Sequence, residues 1–464
     1  MKSTYITHDR RFYRDFFSVW SVLVLYNIIT LGVNLLDNVM VSAYSEAAMA
    51  GVSAVNQVQF FFGQLMLGAA DAVVVLGSQY WGRGDTTSIK RFSMGALLLG
   101  TGLSVLLFAV AAISSEGVVS LFTDDPNIHA AGVEYLRVMK YSYLVFALTT
   151  LLLAILRSVE TVRVGFWVSV STLLVNGSLN YFLIEGHLGA PRLGVTGAAI
   201  ATLAARIVEL VIVVIYLLFV DRKLRWHLRD LYRLDRRLIG DYARLVSPFL
   251  ITSCLFGGAV ALQTVILGHV NDNAIAANSI ASTLYQMLKV AIVGASSAAA
   301  IQIGKAIGSG RMDVIKAYTR TLQIMFVAIG LCTSTLLFFL REPIVNLYNL
   351  ISPDLSFETY DMALSFLAVL SVTGFGTAYQ MPTITGIIRG GGDAKFVLVN
   401  DLVSIWGIVI PTSLLGAFVF RWPPVVILAC LNADQVFKCG AAFVKVNRFR
   451  WMKKLTRPSP AEET

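Results

Sequence analysis

From Phe16 to Tyr44 the chain carries one charged residue, Asp37, and eleven further runs of the same apolar character follow it. About 20 apolar residues make a helix long enough to cross the hydrocarbon core of a bilayer, and unpaired backbone is not tolerated there. This one pattern therefore restricts the chain to an all-α polytopic membrane protein. The runs fall at approximately 16–43, 49–80, 92–114, 131–156, 162–184 and 194–220, then at 245–270, 275–305, 317–340, 359–388, 395–420 and 423–447. Composition agrees: 56% of the 464 residues are hydrophobic and 14% are charged, against roughly a quarter charged in soluble domains.

The charges between the runs set an orientation. Lys and Arg concentrate in alternate loops: Arg10, Arg11 and Arg14; Arg83, Lys90 and Arg91; the stretch from Arg222 to Arg244; Arg389 and Lys395; and Arg448 to Arg457. The intervening loops are acidic or uncharged, as in S-S-E-G-V-V-S-L-F-T-D-D-P-N-I-H. The positive-inside rule then puts both termini and the central link in the cytoplasm. It also accounts for the net charge of +9 without a nucleic-acid partner. The expected organisation is a flank at 1–15, a first lobe at 16–220, a basic link at 221–244, a second lobe at 245–447 and a tail at 448–464. The N-terminus reads as a retained flank, since no short apolar segment with a small-residue cleavage site is present. Cys254, Cys332, Cys430 and Cys439 lack paired spacing and read as buried small residues.

Displaced by 226 positions, the chain matches itself. Val39 meets Val265, Ala48 meets Ala274, Ser53 meets Ser279, Gly68-Ala69 meets Gly294-Ala295, Gly82 and Gly84 meet Gly308 and Gly310, and Ile89-Lys90 meets Ile315-Lys316. One register held over some fifty residues indicates an internal repeat. Six helices per copy is an even number, so the copies enter the membrane from the same side as parallel repeats, with a transport path between them.

Asp37 is the costly residue of this pattern. A carboxylate within hydrocarbon costs on the order of 2.5–3.5 kcal/mol on insertion scales, so it faces a cavity or a partner. Asn176 and Asn180 stand four apart on the fifth run and share a helical face. Thr202 lies in the small-residue segment G-A-A-I-A-T-L-A-A of the sixth run, where helices approach closely. A carboxylate, amide oxygens and a hydroxyl are hard ligands suited to Na⁺, and a buried carboxylate also takes a proton.

Four stretches resemble the multidrug and toxic compound extrusion (MATE) transporters of bacterial type. They are L-L-D-N-V-M-V; G-S-Q-Y-W-G-R-G-D with its echo Q-I-G-K-A-I-G-S-G-R; V-N-G-S-L-N-Y-F-L-I-E-G-H-L-G-A-P-R-L-G-V-T-G-A-A-I-A-T; and I-I-R-G-G-G-D-A-K. The resemblance covers nearly the whole chain. It implies two six-helix lobes forming a V and export of organic cations or other amphipathic small molecules. Export would be driven by inward Na⁺ or H⁺ across a bacterial inner membrane, with no cofactor beyond the coupling ion and no partner chain (a monomer). It also implies that Asp37, Asn176, Asn180 and Thr202 take the coupling cation, with Asp37, Asn176 and Asn180 as the Na⁺ ligands in a sodium-coupled member. The sequence departs from family members that carry a second acid on the seventh or tenth helix. The match to Asp37 is Gln263, and the tenth run reads G-F-G-T-A-Y-Q-M-P-T. Coupling is therefore expected in the first lobe.

Asp71, Gln263, Tyr285, Lys289 and Tyr379 are candidates for the substrate cleft, with Lys289 either snorkelling or facing that cleft. Arg206 with Glu209, and Asp434 with Lys438, read as internal pairs. Asp401 is expected to pair with Lys395 or Arg389. Pro382 and Pro411 fall inside runs and should kink them, and R-G-G-G-D reads as a tight turn rather than a phosphate loop. The alternative function on the same fold is a flippase or exporter of a lipid-linked or metabolite substrate. An enzyme is not expected: no H-E-x-x-H or G-x-S-x-G occurs, and the five histidines are dispersed.

Overall fold

Helix ends in the computed structural model, which describes residues 6–227, 229–230, 235–351 and 356–457, follow the capping chemistry of the sequence. Lys2 and the parts of the central link and tail at 231–234 and 458–464 lie outside the described residues. Ser45 caps one long helix by accepting from the Ala48 N–H, and Gly84 closes it in a left-handed turn at φ 80°. Asp85 then caps the next, accepting from the Ser88 N–H at 2.9 Å. The repeat partners behave alike. Asn271 caps its helix through the Asn273 N–H, and Gly310 follows that helix at φ 72°. Glycine suits both turns because a Cβ disfavours positive φ.

The helices are α1 (Arg10–Tyr44), α2 (Glu46–Arg83), α3 (Thr86–Ile113), the pair α4 (Pro126–Met139) and α5 (Ser142–Ser158), α6 (Arg163–Leu183) and α7 (Gly194–Val220). There follow α8 (Arg236–Gly268), α9 (Asn273–Gly308), α10 (Met312–Asn346), α11 (Phe357–Ile388), α12 (Ala394–Val419) and α13 (Pro424–Asn447). Among the described residues, ten of these are long and apolar enough to cross a membrane, and α4 with α5 forms one more span bent by 55°. The fifth expected span, α6, has the length at 21 residues but falls short of the same apolarity. The residues that lower it, Asn176 and Asn180, belong to the candidate site. At the two prolines, expected to kink their spans, the helices carry π segments: Pro382 opens Pro382–Ile388, and Pro411 sits between the π segments of α12.

The chain divides into two compact units, one of Leu25–Leu250 and one of Met1–Val24 with Ile251–Thr464. The cuts fall inside α1 and α8, separated by the same 226 positions as the repeat. The first unit is built on a core of Val52, Val55, Phe62, Met66, Leu136 and Tyr143. The second is built on Ala277, Ile280, Phe366, Leu367, Leu370 and Leu431. In the second unit α1 begins at Arg10, ahead of the expected span. Phe12 and Phe16 are buried there, Thr7 N–H donates to Thr321 Oγ1 at 3.0 Å, and Trp20 Nε1 donates to Ala291 O at 2.9 Å.

The R-G-G-G-D stretch forms a turn, and the segment after α13 closes over it. Trp451 is fully buried and donates through Nε1 to Val446 O at 2.8 Å, and the Lys453 N–H donates to Gly391 O at 2.8 Å. A Cβ on Gly391 would stand 2.2 Å from Trp451 Cε3, and Gly392 has φ 99°. Asp393 accepts from Lys445 and Lys453 at 2.8 and 2.7 Å.

Candidate functional site

In the Leu25–Leu250 unit, α6 and α7 form a hairpin that sets one face of α6 against the small-residue face of α7. Thr172, Asn176 and Asn180 recur every four residues on α6 and so lie one above another. The second half of α1 meets α6 where Leu36 Cδ2 lies 3.0 Å from the place of a Cβ on Gly177. A glycine at this point lets Asp37, one residue on in α1, reach the amides.

The four expected coupling residues come together. Asn180 Nδ2 donates to Asp37 Oδ1 and, at 3.3 Å, to Asn176 Oδ1. Asn176 Nδ2 donates to Thr202 Oγ1 at 3.4 Å, and Thr202 Oγ1 donates to Ala198 O at 3.0 Å. Asn176 and Asn180 are 1% and 0% exposed, while Asp37 is half-buried. Asn180 Oδ1 is buried and accepts no hydrogen bond. A buried acceptor left unpaired costs about 1–3 kcal/mol, and an amide oxygen beside a carboxylate is chemically suited to a cation. The donor set contains one carboxylate and neutral oxygens, which fits a monovalent ion. No cluster of three His, Cys, Asp or Glu suited to a metal ion occurs among the described residues.

One turn further along the hairpin lies a second polar layer. Arg206 pairs with Glu209 at 3.1 Å and stacks over the Phe146 ring at 4.8 Å. Thr172 Oγ1 donates to Glu209 Oε1 at 2.6 Å. The Arg206–Glu209 pair is as expected. The joining of Thr172 to it was missed, although its place four residues before Asn176 was the available signal. Among the described residues no basic group stands at ion-pair distance from the Asp37 carboxylate, and Arg206, whose charge reaches it, is paired with Glu209.

Of the five candidate cleft residues, Asp71 belongs to the Leu25–Leu250 unit and Gln263, Tyr285, Lys289 and Tyr379 to the other. Asp71 is half-buried on α2 of the Leu25–Leu250 unit. In the other unit, Gln263 Nε2 donates to Leu431 O at 3.4 Å. Tyr379 OH donates to Gln323 Oε1 on α10 at 2.8 Å. Tyr285 and Lys289 do lie together, the ammonium 5.9 Å from the ring centroid. From Tyr285 a polar chain crosses the unit, and sequence reasoning missed it. Tyr285 OH donates to Thr377 Oγ1 at 2.8 Å, and Thr377 Oγ1 to Gln435 Oε1 at 3.0 Å. Gln380 Nε2 reaches the same oxygen at 2.8 Å, and Gln435 Nε2 donates to Asp434 Oδ2 at 2.9 Å. The chain ends at Lys438, 3.0 Å from Asp434 and 2.8 Å from Asp401. Asp434 and Lys438 thus pair as expected. Asp401, expected to pair with Lys395 or Arg389, instead meets Lys438: it faces α13 within the unit, whereas the turn that carries Arg389 is engaged by the tail.

Comparison with known proteins bears on both fold and kinship. A family model described as MatE matches residues 23–182 and 248–415. The chain is 26% identical over 410 residues to a probable multidrug resistance protein NorM of Rhizobium meliloti (strain 1021), covering 85% of this chain and 83% of the relative. It is 25% identical over 448 residues to the multidrug resistance protein MdtK of Pectobacterium atrosepticum, covering 93% of this chain and 94% of that one. A solved outward-facing conformation of a multidrug resistance MATE family transporter of the MOP superfamily superposes with a TM-score of 0.85 at 17% identity, covering 96% of this chain and 98% of that chain. A crystal structure of MATE in complex with MaL6 gives 0.84 at 17%, covering 94% and 96%. The structural likeness bears on the fold, an all-α arrangement of twelve helices in two six-helix lobes. With most of both halves matched by its family model, the chain belongs to the MATE family of membrane transporters.

Proposed function

We propose that the chain is a secondary antiporter. It exports organic cations and other amphipathic compounds in exchange for inward Na⁺ or H⁺, by alternating access between two lobes at 16–220 and 245–447 joined by the link at 221–244. The relatives named as multidrug resistance proteins support export of drugs. The loop charges support a bacterial inner-membrane location with the flank, link and tail in the cytoplasm. A single chain suffices, and no cofactor takes part beyond the coupling ion.

The observation that carries the coupling is the unpartnered Asn180 Oδ1 beside the unpaired Asp37 carboxylate. When Na⁺ is the coupling ion, Asp37 neutralises it and Asn180 and Asn176 supply neutral oxygens, with Thr202 holding Asn176 in place. When H⁺ is the coupling ion, Asp37 takes the proton and the Asn180 amide orients the carboxyl. Either way the Arg206–Glu209 pair is already neutral, so one monovalent cation removes the remaining charge. An ion that binds one lobe arrangement better shifts the population toward it, and substrate shifts it back. Asp71, Gln263, Tyr285, Lys289 and Tyr379 are the side chains proposed to meet substrate along the path.

The direct test loads proteoliposomes with ethidium and imposes a Na⁺ gradient alone, then a pH gradient alone. Efflux under at least one of them, and none without a gradient, is expected. Efflux indifferent to both gradients would exclude cation-coupled antiport.

A further inference from the structure

Lys289 stands at the midpoint of α9, so either helix end is about 25 Å away at about 1.5 Å per residue. A lysine stem spans only a fraction of that distance. A cation held at this depth needs an anion, a carbonyl or water. Among the described residues its ammonium has neither a hydrogen-bond acceptor nor a carboxylate within bonding distance, only the Tyr285 ring at 5.9 Å. Asp434, the carboxylate whose charge reaches it, is already held by Lys438 and Gln435 at 3.0 and 2.9 Å. The Tyr285 hydroxyl is committed to Thr377.

The surroundings show where the missing anion would approach. Ser279, Ser282, Gln286 and Lys289 recur every three or four residues and share one face of α9. Ser279 and Gln286 are exposed. The Ser279 and Ser282 hydroxyls donate to Ile275 O and Ser279 O, so the face offers the Gln286 amide, one unpaired ammonium and the ring of Tyr285 one turn before it.

We infer that this face of α9 is a subsite for the carboxylate of an amphipathic aromatic substrate, with Lys289 as its ion-pair partner and Tyr285 against its ring. This rests on the export reading above and deepens it by naming the side chain that meets a substrate's carboxylate. The polar chain from Tyr285 to Lys438 fixes the ring and keeps Asp434 turned away from Lys289, so that the ammonium stays available.

The test is equilibrium binding to the purified full chain in lipid nanodiscs, with an aromatic carboxylic acid such as a fluoroquinolone and with its methyl ester. The wild type is expected to bind the acid about tenfold more tightly than the ester, the loss of one charge-assisted contact. Lys289→Gln abolishes that preference and Lys289→Arg keeps most of it. Equal affinity of the wild type for acid and ester, or a preference that survives Lys289→Gln, would overturn the inference. Ethidium efflux by the wild-type preparation reports separately on the export reading, so the two fail independently.

Discussion

At the level of single residues, Asp37 and Asn180 divide the work in the proposed coupling site. Asp37 brings the charge, and Asn180 spends its N–H groups on Asp37 and Asn176 while keeping one oxygen free. Asn180→Ala removes a hydrogen bond to a charged group, worth about 1.5–3 kcal/mol, or about 10- to 100-fold in an equilibrium constant. The concentration of coupling ion that gives half-maximal efflux should rise by that factor, measured on the gradient identified in proteoliposomes; an unchanged value would remove Asn180 from the site. Much of this was legible in the sequence. A lone acid in an apolar run is conspicuous, and a spacing of four puts two amides on one face. What did not show was the unpaired state of one particular oxygen, which depends on how three helices meet rather than on any one helix. The same limit explains Asp401: its nearest basic residues in the sequence were Lys395 and Arg389, but helix packing brought it Lys438.

Among the structural elements, the turn after α11 and the segment after α13 make the clearest case for packing that a hydropathy pattern hides. The sequence marks a tight turn at Gly390–Gly392 and a basic tail, and nothing in it shows that Trp451 lies against Gly391. Gly391→Ala places a Cβ in the ring and should destabilise the chain by about 1–3 kcal/mol, as overpacking does, read as a lower midpoint of thermal unfolding in detergent. An unchanged midpoint would mean that the tail is not latched there. Asp393 adds a pH dependence. Burial pushes its carboxyl up, but the Lys445 and Lys453 ammonium groups outweigh that and hold it below the usual carboxylate range. Its contribution to stability is therefore complete above the unfolded value, near 4, and is lost as pH falls through the lower folded value. Asp393→Asn should cost about 1–3 kcal/mol at pH 7 and flatten the loss of stability at acid pH; a variant with wild-type stability at pH 7 would contradict the pairing. The polarity of α6 carries the opposite lesson. The helix that looks least like a membrane span is the one whose amides line the proposed site.

For the whole molecule, the repeat is visible in residues and again in structure: the same capping positions, the same glycine turns, and unit boundaries inside α1 and α8 at the same displacement of 226. The two copies share a frame but differ in charge. Where the first has Asp37, the second has Gln263, bonded to a backbone carbonyl, while the second unit buries its own acids against Lys438. Among the described residues Asp37 has no basic group at ion-pair distance, whereas Asp401 and Asp434 of the second unit are neutralised in part by Lys438. This difference is the reason to place coupling at Asp37, and one measurement addresses it most directly. Asp37→Asn keeps the size and most of the hydrogen bonding but removes the charge. In proteoliposomes with equal amounts of folded protein, the variant should lose gradient-driven ethidium efflux that the wild type performs. Efflux at the wild-type rate, driven by the same gradient, would contradict the account.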